Sequence, residues 1–119
     1  MTRFIALLFV SAAIAGMAGS ALADGTAKQF LQLDASDDGV ALAETKIVAQ
    51  GEGISIANAA LPANAKLYCQ PTALVLTGPQ LADMVRRAVK ADDKLEDQMV
   101  SSVLLGVLKN TFPCAAAAH

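Results

Sequence analysis

Leu67-Tyr68-Cys69-Gln70-Pro71 and Phe112-Pro113-Cys114 bracket the stretch that decides how this chain folds. It holds the only two cysteines, the only tyrosine and three of the four prolines. Between its ends the sequence reads as two helices. Thr77-Gly78-Pro79-Gln80 is a capping box with proline in the first turn, where its missing N–H costs nothing. The helix it opens runs over about residues 79–91, with Leu81, Met84, Val85, Ala88 and Val89 as its apolar stripe and Asp83, Arg86, Arg87 and Lys90 off it. Ala91-Asp92-Asp93-Lys94 breaks the pattern. Asp93-x-x-Glu96 then predicts a cap for a last helix over about residues 95–111, burying Val100, Val103, Leu104, Val107, Leu108 and Phe112, with Leu105 outside. The expected shape is a helical hairpin. Leu67 to Leu76, just before it, has a mixed pattern and is expected to be an extended, buried segment.

Upstream, Thr26-x-x-Gln29 predicts a helix start, with Phe30, Leu31 and Leu33 buried by a short helix over about residues 27–34. Ser36-Asp37-Asp38-Gly39 reads as a loop. A long helix over about residues 40–61 follows, because Val40, Ala43, Ile47, Gly51, Ile54, Asn58 and Leu61 recur every three or four positions. Gly51 and Gly53 lie inside it, each costing about 1 kcal/mol relative to alanine. Close approach of another backbone explains that cost; a kink, or two shorter helices, is the alternative. Pro62 ends the pattern.

The first 23 residues have the form of a secretory leader: Arg3, an apolar run from Phe4 to Ala15, and Ser20-Ala21-Leu22-Ala23 ending in a small-x-small cleavage pattern. A single domain over residues 24–114 is then expected in the periplasm, with residues 115–119 as a flexible tail and no membrane anchor after cleavage. The chain carries nine Lys and Arg against eleven Asp and Glu, a net charge of −2; loss of Arg3 with the leader makes the balance −3. That balance is too mild for nucleic-acid binding. In an oxidising compartment two cysteines read as one disulfide, here between Cys69 and Cys114. A redox pair or metal site is disfavoured by the lack of Cys-x-x-Cys and by a single histidine, His119, in the tail.

Catalytic patterns are absent from the sequence. No histidine within residues 24–114 can serve a serine as base. Asp92, Asp93, Glu96 and Asp97 read as a solvated helix start. Gly51-Glu52-Gly53 is no phosphate loop, since no strand precedes it. Asn58, on an otherwise apolar face, is expected to bond backbone across the helix pair. These observations describe an all-α, four-helix, single-disulfide domain that is not an enzyme and needs no cofactor or metal.

The cysteine frame resembles the Rap/Tai-type immunity proteins of type VI secretion systems. The residues that carry the resemblance are Gly51-x-Gly53, Ala57-Asn58-Ala59-Ala60-Leu61, Leu67-Tyr68-Cys69-x-Pro71, Leu76-Thr77-x-x-Gln80, Leu104-Leu105 and Phe112-Pro113-Cys114. The resemblance implies a periplasmic all-α protein, often a homodimer, that binds a peptidoglycan amidase effector and blocks it by steric occlusion. It transfers only the two cysteines, as a disulfide. Arg86, Arg87, Asp92, Asp93, Lys94, Glu96 and Asp97 are the expected contact surface. A small acid-stress chaperone and an envelope adaptor domain are the alternatives.

Overall fold

The computed structural model describes residues 24–115, so the expected leader lies outside the described residues, as does the tail beyond Ala115. Four α-helices follow one another: α1 (Ala27–Asp34), α2 (Val40–Ala59), α3 (Gly78–Ala91) and α4 (Val100–Thr111). Two short 3-10 helices, Ala63–Ala65 and Asp93–Asp97, sit in the connections. α2 packs between α1 and α3, and α3 packs on α4 to form the predicted hairpin. The fold is all-α, and no strand is present among the described residues.

Both capping boxes form. The Thr26 side chain accepts from the Gln29 N–H and the Gln29 side chain from the Thr26 N–H; Thr77 and Gln80 do the same for α3. Each satisfies two backbone donors that would otherwise lack partners, a contribution of about 1 kcal/mol per cap. Between α1 and α2 the chain turns at Gly39, which is buried. A Cβ there would lie 2.6 Å from the Leu33 carbonyl oxygen, so only glycine fits.

The core is built from Ala27 and Phe30 of α1, Ala43 and Ile47 of α2, Leu81, Ala82 and Val85 of α3, and Val100, Val103, Leu104 and Leu108 of α4, with Tyr68 from the connection. Ile47, Val85, Leu104 and Leu108 are the largest fully buried side chains. Burying each contributes about 2 kcal/mol. Small residues bring the axes together. A Cβ on Gly78 would meet the Glu44 Cβ at 2.9 Å and the Glu44 carbonyl oxygen at 3.3 Å, so the start of α3 rests directly on the backbone of α2.

α2 is one continuous helix, ending two residues before the predicted Leu61. Its two glycines differ. Gly51 faces the Leu81 side chain, whose Cδ1 lies 3.1 Å from where a Cβ would stand, whereas Gly53 faces open space. The backbone approach expected at Gly51 and Gly53 therefore occurs at Gly78 instead.

Two further expectations are corrected. The last helix begins at Val100, five residues later than predicted, and residues 93–97 form a separate 3-10 turn whose N-cap is Asp92 rather than Asp93. The cause is non-local: the Val100 N–H donates to the Gly25 carbonyl (2.8 Å) and the Ala27 N–H to the Gln98 carbonyl (2.8 Å), making a small antiparallel bridge between Thr26 and Met99. That pairing holds Gln98 and Met99 extended. The segment from Leu67 to Leu76 is extended in part but mostly exposed, Val75 by 81 %. A turn at Pro71, closed by the Leu74 N–H on the Pro71 carbonyl (3.0 Å) and by Gln70 Nε2 on the Leu74 carbonyl (2.6 Å), carries it outward.

The two glycine environments predict opposite outcomes. Gly53→Ala should stabilise the protein by about 1 kcal/mol, because the helix gains propensity and no neighbour has to move. Gly78→Ala should destabilise it by about 1–3 kcal/mol by overpacking. Urea unfolding of the two variants measures both signs.

Candidate functional site

Cys69 and Cys114 are bonded, with their Cα atoms 4.8 Å apart, and the hairpin is closed as expected. The bond is one part of a joint. The Cys69 N–H donates to the Phe112 carbonyl (2.8 Å). Asn58, near the end of α2 and buried, uses both ends of its amide: its Nδ2 donates to the Tyr68 carbonyl (2.9 Å) and its Oδ1 accepts from the Leu67 N–H (2.7 Å). Asn58 bonds backbone as expected, but on the chain that follows its own helix. Lys66 Nζ donates to the last carbonyls of α2, Asn58 (2.9 Å) and Ala59 (2.6 Å), placing a cation at the negative end of the helix dipole. The joint thereby fixes the end of α2, the connection and the end of α4 to one another.

The hairpin framed by this joint carries a long groove between α3 and α4. One half, of about 520 Å³, has an apolar floor of Leu76, Met84, Ala88, Val107 and Phe112 and a polar rim of Gln80, Asp83, Arg87, Asn110 and Thr111. The other half, of about 430 Å³, shares Ala88, Val107 and Asn110 and continues along Ala91, Leu95, Val103 and Gly106 to Asp92, Gln98 and Ser102. Gly106 faces open space, so its missing side chain deepens the groove and meets nothing else in the domain.

The residues expected to form the contact surface divide between two sides of α3. Arg87 and Asp92 line the groove. Arg86 pairs with Asp34, whose side chain is only 7 % exposed at the last position of α1, and also with Asp83. A carboxylate at the end of a helix is unfavourable against the dipole, so Arg86 compensates it and ties α1 to α3. The Asp92 side chain accepts from the Lys94 N–H (3.2 Å). Asp93, Lys94 and Asp97 are exposed and Glu96 half-buried, without lining the groove. Gly106 and Asn110 escaped the sequence reading: a helical glycine carries no mark of what it faces, and Asn110 lies on the outer flank of an apolar stripe.

The Asp83 carboxyl is perturbed by its arginine neighbours. A hydrogen bond from the Arg87 guanidinium, aided by the nearby charges of Arg87 and Arg86, holds it below the usual carboxylate range. Such a group contributes stability above its unfolded-state pKa, and that contribution fades as pH falls through the lowered value.

Among the described residues no group of three or more His, Cys, Asp or Glu side chains is placed to hold a metal ion, and no helix is long and apolar enough to cross a membrane. A disulfide is compatible with an exported protein. No family model matches the chain, and neither a curated protein nor a solved structure matches it.

Three measurements follow from this geometry. In Arg87→Ala the Asp83 carboxyl should titrate at higher pH than in the parent, read by carbon NMR. Reducing the disulfide should lower the unfolding free energy by up to about 4 kcal/mol, the loop-entropy figure for a closure spanning 45 positions. Asn58→Ala strips partners from the Leu67 N–H and the Tyr68 carbonyl and should cost about 2 kcal/mol in denaturant unfolding with the disulfide intact.

Proposed function

We propose that the chain is an exported immunity-type protein. Its leader is removed after Ala23, and residues 24–114 act in the periplasm as a Rap/Tai-like immunity domain. The domain binds and occludes a peptidoglycan amidase effector of a type VI secretion system. The motifs around Cys69 and Cys114 support the family reading. The observation that carries the binding reading is the α3–α4 groove: a continuous apolar floor with a polar rim, held on a hairpin braced by a disulfide and the Asn58 joint. Apolar floors ringed by polar residues are the usual anatomy of a protein-binding surface.

In this mechanism the protein performs no chemistry and uses no cofactor. A projecting element of the amidase enters the groove, its apolar side chains displacing water from Met84, Val107 and Phe112, while Arg87 and Asp92 select among partners by charge. Occupancy then blocks the amidase cleft sterically.

A second reading has its own observation. Ile56 is 72 % and Val75 81 % exposed, and apolar exposure of that kind suits an acid-stress chaperone. The protein would then suppress aggregation of unfolded clients at low pH, and failure to do so removes that reading.

Gly106 provides the test of the immunity reading. The protein should form a stable complex with a type VI amidase effector encoded beside it and should suppress that effector's lethality when both are directed to the periplasm. Gly106→Leu fills the groove from a helix position that meets no other part of the domain, so it should abolish complex formation with the far-UV spectrum and unfolding midpoint retained. Full binding by Gly106→Leu would move the contact off the groove. Absence of binding by the parent to any such amidase would end the immunity reading.

A further inference from the structure

Nothing local to residues 95–99 explains why α4 starts so late. Leu95, Glu96, Gln98 and Met99 are good helix formers, and neither glycine nor proline interrupts them. Gln98 and Met99 are nevertheless extended, at φ −81°, ψ 155° and φ −59°, ψ 134°. What lies against them is the segment Asp24–Thr26.

That segment supplies what the N-terminus of α4 lacks. Met99, the N-cap residue, offers no side-chain acceptor. The Gly25 carbonyl takes the Val100 N–H instead. The Asp24 carboxylate accepts from the Ser101 N–H (3.4 Å) and from the Ser101 hydroxyl, and is steadied by Gln50 Nε2 of α2 (3.0 Å). A carboxylate here also meets the positive end of the helix dipole. Beside it the buried Oε1 of Gln50 has no hydrogen-bond partner among the described residues, a cost carried in this state.

We propose that Asp24–Thr26 is a strap that caps α4 from a distant part of the same chain, and that residues 93–99 have two states set by it. With the strap docked they form the 3-10 turn and extended pair seen here. With the strap released, the Gln98 carbonyl loses the Ala27 N–H and the Val100 N–H loses the Gly25 carbonyl. Both groups are then satisfied within a helix that runs back to about Leu95, and the Asp93-x-x-Glu96 box becomes its cap. The change re-aims the acidic residues from Asp93 to Asp97 at the edge of the groove. This inference goes beyond the binding reading and does not rest on it.

Asp24→Ala tests it, with Met99→Pro as the control. In Asp24→Ala the Cα chemical shifts of residues 95–99 should move to helical values, and amide exchange at Ala27 and Val100 should quicken by about tenfold or more. Met99→Pro fixes φ near the observed −59°, removes an N–H that bonds nothing among the described residues, and places proline where a helix through 95–111 cannot hold it. Met99→Pro should therefore fold like the parent, and the double variant should keep residues 95–98 non-helical. Parental shifts and exchange in Asp24→Ala overturn the proposal. So does loss of structure at 95–99 without gain of helix.

Discussion

The bond between Cys69 and Cys114 joins two places that the apolar core would hold only weakly. The core has four large, fully buried side chains, Ile47, Val85, Leu104 and Leu108, and they lie along the middle of the helices. Around the disulfide burial is uneven: Tyr68 is buried, whereas Leu67 and Cys69 are exposed and Phe112 is only half-buried. A domain of this size is stable by about 5–15 kcal/mol in total. A closure contributing up to about 4 kcal/mol is a large share of that. The Asn58 amide, the Lys66 ammonium and the Cys69 N–H give the covalent bond a matching native geometry, so the constraint on the unfolded chain is not offset by unsatisfied polar groups in the folded one.

Given that joint, the placement of α3 follows from two small residues and one ion pair. Gly78 lets the start of α3 rest on Glu44, and Gly51 leaves room for Leu81 one turn further in. On the other side Arg86 reaches Asp34 at the end of α1. α3 is thus fixed to α2 by close packing and to α1 by charge, and the side facing α4 is open enough to form a groove. A surface ion pair contributes little energy by itself. Here it also satisfies a largely buried carboxylate, so its effect is on the orientation of α3 more than on total stability.

The parts of the fold that depend on neighbours in sequence were legible. Thr26 with Gln29 and Thr77 with Gln80 mark two helix starts, and both form. Export logic and hairpin geometry paired the cysteines correctly. The parts that depend on distant contacts were not legible. The start of α4 was misplaced because Leu95 to Met99 suit a helix and the Gly25 carbonyl that interrupts it lies far away in sequence. The Leu67–Leu76 segment looked buried because of its composition, yet the turn at Pro71 carries it outward. Gly53 looked like a packing glycine because it neighbours one. The groove was half visible: Arg87 and Asp92 were picked out as charged, but their alignment along one cleft needs the packing of α3 on α4.

The two arginines, adjacent in sequence, have different structural commitments. Arg86 is committed to Asp34, so replacing it disturbs the attachment of α3 to α1. Among the described residues Arg87 pairs only with Asp83, one turn away on the same helix, and most of its side chain is exposed. Replacing Arg87 leaves the Arg86–Asp34 pair in place while altering the charge along the groove, whereas Asp83 also pairs with Arg86. Asp92 is more restricted, because its carboxylate also holds the Lys94 N–H of the 3-10 turn. The groove's charge and polarity can therefore change at Arg87 and Asn110 at little structural cost, while the disulfide, Asn58, Gly78 and Arg86 hold the frame that presents them.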